Sequence, residues 1–446
     1  MRGLRKTAAL LLLLSITSLN YAQDKVLLKN EMKPGDGWHL ALDMKLTGKI
    51  KLRDGDKVVG LDLKAGAKHE FEERVLTVSE GKPTSVGRFY NTAKADITLQ
   101  DKSLTKTLRS DRRFIAAHTS VDSPTITYSP VGPLTDEELE ITAEHLDVLA
   151  LHGLLPNKEV AIGEKWDVSI PVAQSLAGVD AVISSKLECK LEKIERNHAV
   201  VTLTGELEGI LKGATLKASL AAGLVYSLET KKFTGCTWRY RENKDQGPLN
   251  PACEIETEVT ATWKHGLALT EVTDGKAATI AAQPPAALLM LEFRDANNRF
   301  AFHYDRQWGV VSKNEKQVVM RLLDRGELIA QMNLNPYQQM KPGEHMSLDE
   351  IEKLIQQAPG YQLEKVIEKA NVDAAPGFWI GKVSTTGTAS DLPMQQVVYA
   401  VAGPRGDQVL LSFTVETEQA AKLAGRDLSL VKTVSLPTLQ TTGGTK

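Results

Sequence analysis

The chain has 446 residues, enough for two or three domains, and its 42% hydrophobic and 25% charged residues are the balance of an ordinary soluble globular protein. A formal net charge of −2 gives no long-range attraction to nucleic acid or to an anionic membrane, and no stretch is basic enough for an RNA or DNA groove. Nucleic-acid partners are set aside on that ground.

Residues 1–22 read as a secretory signal. Arg2, Arg5 and Lys6 form the charged start, and residues 8–16 form an apolar core too short to span a bilayer. Cleavage is expected after Ala22, although Asn20 is not the usual small residue two places earlier. Ser15, Thr17 and Ser18 interrupt the apolar run and argue against an uncleaved anchor. No later apolar run reaches spanning length. The expectation is an exported protein, periplasmic or secreted, soluble once the signal is gone.

From Leu40 the pattern alternates. Leu40, Leu42, Met44, Leu46, Ile50 and Leu52 share one face, Asp54-Gly55 turns the chain, and Val59, Leu61, Leu63, Ala65, Ala67 and Phe71 return. This predicts a long antiparallel hairpin with one dry and one wet face. The Asp54-Gly55-Asp56 carboxylates are read as turn residues, too few for a calcium loop. Thr135 and Glu138 form a capping box, and Leu139, Leu146 and Leu149 give a partial stripe for a helix over residues 135–151. His145 and His152, two turns apart, are too distant to share a metal without outside ligands and read as a polar helix edge.

Residues 154–168 read as a hinge, with Gly163 for the turn and Trp166 re-entering an apolar face. A second hairpin set follows. Leu187, Cys189 and Leu191 lead to a turn at Arg196-Asn197, Val201, Leu203 and Leu207 return, and Ile255, Val259, Ala261 and Trp263 close the region. Cys189 alternates in step with its leucines, as a buried free thiol would. Cys236 and Cys253 flank the polar, Gly- and Pro-bearing segment 243–251. In an oxidising compartment they are expected to form a disulfide, stabilising the fold by about 3 kcal/mol.

Ala-rich residues 277–282 and Pro284-Pro285 mark a linker. Beyond it Phe300, Phe302 and Tyr304 lie on one face of a strand. Strands are expected near residues 318–323, 328–334, 363–368, 378–385, 394–402 and 408–415. A helix capped by Ser347 carries Leu348, Ile351, Leu354 and Ile355, and a closing helix carries Leu423, Leu428, Val431 and Val434.

Two resemblances attach to these residues. The phrase from Leu155 to Trp166, LP-x-x-x-V-x-I-G-x-x-W, resembles a family of exported bacterial β-rich proteins and brings no activity with it. The F-x-F-x-Y strand with Trp308, the helix at 348–355 after a strand pair, and the strand–turn–strand–helix tail through Val397, Gly403, Gly406 and Phe413 resemble the PsbP-like fold over about 150 residues. That likeness implies a central antiparallel sheet with helices packed on it, and a binding or assembly role more than an enzymatic one.

The sequence holds no Gly-rich phosphate loop, no His-Glu-x-x-His, no nucleophile elbow and no zinc-spaced Cys pair. His303 and Asp305 could be half of an acid–base site, but no third partner accompanies them. Trp308, Phe378 and Trp379 are the candidate binding residues, since Phe378 and Trp379 alternate onto opposite faces and an exposed Trp suits a binding patch. The fold expected is multidomain: a signal (1–22), an antiparallel β-rich region of two halves joined by a helix (23–285, halves about 23–153 and 154–285), a PsbP-like α+β module (286–437) and a tail (438–446). The function expected is that of an exported, non-catalytic binding or assembly protein, without cofactors, whose partner is an envelope or extracellular protein. The alternative is a carrier of a lipid or other apolar ligand, which predicts an apolar cavity behind the hairpin of residues 40–71.

Overall fold

A computed structural model describes residues 25–55, 57–120, 123–143 and 146–437. The signal and tail readings, Asp56 and His145 lie outside the described residues.

The first region is made of β1 (Lys25–Leu28), β2 (Gly37–Asp54), β3 (Lys57–Ser79), β4 (Lys82–Leu99), β5 (Lys102–Thr107), β6 (Phe114–Ser120) and β7 (Ser123–Tyr128). Helix α1 (Asp136–Ala143), β8 (Lys158–Ala161), β9 (Lys165–Asp167) and α2 (Ile170–Ala177) follow. Then come β10 (Ala181–Ser185), β11 (Glu188–Glu195), β12 (His198–Leu211), β13 (Ala214–Ser227), β14 (Lys232–Lys244) and β15 (Ala252–His265). All but β1 and β8 belong to one 13-stranded sheet with the path β7-β6-β4-β3-β2-β15-β14-β13-β12-β11-β9, β5 lying on β4 and β10 on β12.

The expected hairpin is β2–β3, in register from Leu40↔Phe71 to Leu52↔Val59. The two halves read from the sequence share this sheet, because β2 pairs with β15 from Trp38↔His265 to Lys51↔Ala252. β1 pairs with β8 and ties the start of the described chain to the hinge segment.

The expected helix over residues 135–151 is two pieces, α1 and a 3-10 turn at Ala150–Leu154. The Thr135–Glu138 capping box starts the first, with Glu138 N–H donating to Thr135 Oγ1 (3.2 Å) and Thr135 N–H to Glu138 Oε2 (2.9 Å). Asp147 Oδ1 accepts from the N–H groups of Leu149 (3.0 Å) and Ala150 (3.4 Å), which starts a new turn in place of continuing the old one. Helix α2 was not expected, although its signals are ordinary: Pro171 in the first turn and Gly178 in the left-handed conformation at its end.

The second region opens after two short helices, α3 (Asp274–Ala277) and α4 (Ala286–Leu289), with the hairpin β16 (Leu291–Arg294) and β17 (Ala301–Tyr304). Strands β18 (Trp308–Lys313), β19 (Val318–Asp324) and β20 (Glu327–Tyr337) precede α5 (Leu348–Gln356). After them come β21 (Gln362–Val372), β22 (Trp379–Ala389), β23 (Leu392–Ala402) and β24 (Gln408–Glu416), then α6 (Ala420–Leu423) and α7 (Arg426–Val431). Its seven-stranded antiparallel sheet runs β18-β19-β20-β24-β23-β22-β21.

Alternation in this sheet sorts residues to two cores. Val398, Ala400 and Val383 pack under α5 with Ile351 and Ile355. Tyr399, Leu411 and Phe413 face the other way, in one cluster with Trp308, Phe302, Leu430 and Val431. The Ser347–Glu350 capping box fixes the start of α5. The chain is thus a β-rich region followed by an α+β module, as expected from the alternation.

Candidate functional site

The aromatic candidates do not converge. Trp308 is 2% exposed and meets the Phe413 ring edge-to-face at 5.8 Å, so a core role replaces the binding one read from the sequence. Phe378 and Trp379 do take opposite faces, each half-buried against a different core. The Trp379 ring stacks on His345 at 3.8 Å, its Nε1–H donates to Asn371 Oδ1 (3.1 Å), and it lies over Gly381, where any Cβ would strike it.

The expected disulfide is corrected. Cys189, Cys236 and Cys253 are all free and buried. In the β14–β15 register Cys236 faces Ala261 and Cys253 faces Lys244, so the thiols are eight residues apart along the ladder, roughly 27 Å. The loop 245–251 joins the far ends of two long strands, and Cys236 sits well inside the first. Burial pushes the Cys189 and Cys236 thiols up to about 12 and Cys253 up to about 11.

His152 is not a polar helix edge. It is 4% exposed, its Nδ1 lies 2.9 Å from Asn30 Oδ1, and burial lowers it to about 4. Asp305 is occupied by its own turn, accepting the Gln307 N–H at 2.8 Å. Among the described residues no group of three or more His, Cys, Asp or Glu is placed to hold a metal.

Two adjoining features remain, both on the inner face of the large sheet. That face carries Leu40, Leu42 and Phe71, and it is covered by α1, α2 and the 3-10 turn between them. The same face continues beyond this cover. Leu52 pairs with Val59, Ile50 with Leu61, Leu63 with Leu99 and Ile97 with Leu104. Leu52, Val59 and Leu104 are 42%, 44% and 49% exposed. Ile50, Leu61, Leu63, Ile97 and Leu99 beside them are only partly buried. Isolated exposed apolar side chains are ordinary; a contiguous strip of them on one sheet face is not.

Where the cover begins, a cleft of about 320 Å³ opens between α1, β5, β16–β17 and β18. It is polar: Lys106 pairs with Glu140 (2.7 Å), Lys313 with Glu137 (2.6 Å) and Arg294 with Glu292 (2.9 Å). Behind it Arg109 spans the two regions, bonded to Glu138 on α1 (2.5 Å) and to Glu292 on β16 (2.9 Å). Burial, then the Glu140 charge, raises the Asp136 carboxyl, and burial also raises the Tyr304 hydroxyl. This cleft differs from the apolar cavity that the carrier reading expects behind the β2–β3 hairpin. Lys313–Glu137 and Arg109–Glu292 bind one region to the other, and the charged lining leaves little apolar wall for a lipid tail.

Leu52 and Val59 were expected on the dry face of the hairpin and are exposed instead, and Leu104 was not singled out. The available signal was length: an apolar alternation of eighteen residues in β2 outruns any helix predicted to cover it.

No family model matches the chain, and no curated protein matches it. Solved structures show distant likenesses. A cyanobacterial PsbP from Synechocystis is 10% identical, with 35% of this chain and 99% of that one covered and a TM-score of 0.27. A Bacteroides thetaiotaomicron protein is 12% identical over 33% of this chain and 48% of that one, with a TM-score of 0.25. Lipovitellin is 11% identical over 55% and 27%, with a TM-score of 0.31. This chain therefore spans about half and about a quarter of the latter two. TM-scores this low decide neither fold nor function.

Proposed function

We propose that this is an exported, non-catalytic binding protein that takes its partner on the open end of the large sheet's inner face. The observation that carries the proposal is the apolar strip from Leu52 and Val59 to Leu104, left in water by a chain that elsewhere covers such faces with helices. Burying such a strip is favourable by about 25 cal/mol per Å² of apolar surface, which supplies the affinity without any catalytic group. Export is supported by the charged start, apolar core and Ala22 of residues 1–22. The partner class follows from the surface: apolar at the contact, and not nucleic acid.

A hydrophobic fluorescent dye, anilinonaphthalene sulfonate, tests this on the mature protein. Saturable binding is expected, weakened at least about fivefold by the pair Leu61→Asp and Leu104→Asp, which puts charge of the dye's own sign into the strip. Binding that is absent, or unchanged in the double variant, would sink the proposal.

A further inference from the structure

Three of the four carboxylates that line the cleft beside α1 are already matched. Glu140 holds Lys106, Glu137 holds Lys313 and Glu292 holds Arg294, all within 2.9 Å. The fourth is Asp136, the first residue of α1, and among the described residues it has neither a hydrogen bond nor an ion pair. The lining therefore carries one negative charge in excess, on the group that lacks a partner. Lys212 and Lys106 act on that carboxyl from a distance, but burial and the Glu140 charge outweigh them and raise it. Arg109, behind the wall, is held by Glu138 and Glu292.

A second unpartnered group enters the same cleft from the other region. Tyr304 on β17 is 2% exposed, yet its hydroxyl lines the cleft and bonds to no described group. Buried hydroxyls are as a rule bonded. Tyr226 and Tyr399, buried to the same degree, donate to the Lys29 carbonyl (2.6 Å) and to Asp427 (2.8 Å). Burial and the Asp136, Glu137 and Glu140 charges all raise the Tyr304 hydroxyl, so at neutral pH it keeps its proton and its oxygen can still accept a bond. Val310 and Val311 on β18 and the Phe293 ring on β16 add a short apolar wall.

We propose that this cleft binds a primary ammonium group carried on a short apolar body, with Asp136 and Tyr304 as its polar contacts. An ammonium brings three N–H donors and no acceptor. One donor meets the Asp136 carboxylate in a charge-assisted bond, another meets the Tyr304 oxygen, and the cation cancels the excess charge of the lining. The carbon chain lies against Val310, Val311 and Phe293. An anion finds each lining cation already held, and a quaternary ammonium lacks the donors. The volume of about 320 Å³ stands at the lower end of the ~300–1,000 Å³ range of small-ligand sites, so the ligand is small. This site is separate from the apolar strip, and neither reading needs the other.

Ligand-observed NMR titration of the mature protein at pH 7 decides it, with pentylammonium as the probe and pentan-1-ol and pentanoate as its neutral and anionic counterparts. The amine should saturate the protein, and the alcohol and the carboxylate should bind at least about tenfold more weakly. Tyr304→Phe and Asp136→Asn should each weaken the amine at least about tenfold and leave the alcohol unchanged. Tyr304→Phe should melt no lower than the wild type, because the hydroxyl it removes bonds nothing in the fold. Should Asp136→Asn fail to fold, Tyr304→Phe decides alone. An amine that does not saturate, an alcohol that binds as well, or amine binding unchanged in Tyr304→Phe overturns the assignment. So does a lowered melting temperature in Tyr304→Phe, which would mean that the hydroxyl already serves the fold. Dye binding measured on the same samples reports on the strip, so either reading can fail while the other stands.

Discussion

The two large sheets are written in the same alternating code and end in different states. In the seven-stranded sheet Tyr399 and Phe413 are covered on one face, Val383 and Val398 on the other, and α5 and α7 supply much of the cover. In the 13-stranded sheet only part of the inner face is covered, and the remainder runs out into solvent at Leu52, Val59 and Leu104. An apolar stripe in a sequence states that a face seeks cover; it does not say whether this chain provides it.

The largest effects should separate covered from uncovered positions. Trp308→Ala removes a ring that is 2% exposed and packed on Phe413, and should cost about 3–5 kcal/mol. Val59→Ala on the open face should stay within about 0.5 kcal/mol. Denaturant unfolding of the two variants measures the contrast. A Val59→Ala loss as large as that of Trp308→Ala would mean that the hairpin face is buried after all.

Acid should break the two regions apart in order. His69 and His152, both in the first region, are held by burial at about 4, against 6.5 for a free imidazole. Between those values the unfolded chain binds protons that the folded chain refuses, so stability falls as pH drops through 6.5, and the loss is complete below about 4. Each histidine contributes up to about 3 kcal/mol to that loss. Far and near ultraviolet circular dichroism between pH 7 and 4 should show the first region failing while Trp308 and Trp379 keep their native signals. His152→Gln should make stability fall less steeply with pH and so broaden the transition. A stability profile flat across this window would contradict the burial of both imidazoles.

How legible the molecule was follows the range of the interactions. The β2–β3 hairpin, the α5 capping box and the strands of the second region all rest on contacts within a few residues or on period-two alternation, and these were readable. The seam from Trp38↔His265 to Lys51↔Ala252 joins strands some two hundred residues apart, and nothing local marks it. The same limit misled the reading of aromatics. Phe378 and Trp379 were correctly given opposite faces, but the Trp379 stack on His345 and its seat over Gly381 depend on elements brought together only by the fold. The open sheet end was hidden for the converse reason: no residue marks a missing neighbour, and only the length of the β2 alternation pointed to it.

The smallest expected effect concerns the cysteines, and there the comparison sharpens to a null. All three thiols lie in the large sheet, buried, with the register keeping Cys236 roughly 27 Å from Cys253. Reductant should therefore leave the melting temperature unchanged, and non-reducing peptide mapping should return three unpaired cysteines. Because burial lifts the thiols to about 11–12, native alkylation at pH 8 should be slow and should become complete only on unfolding, with Cys253, the least elevated of the three, reacting first. A Cys236–Cys253 linked peptide would require β14 and β15 to slide by eight residues. Since an even slip keeps each side chain on its face, Trp238 and Val259 would remain inward but lose each other as partners, and the pairing of β15 with β2 would have to move with it.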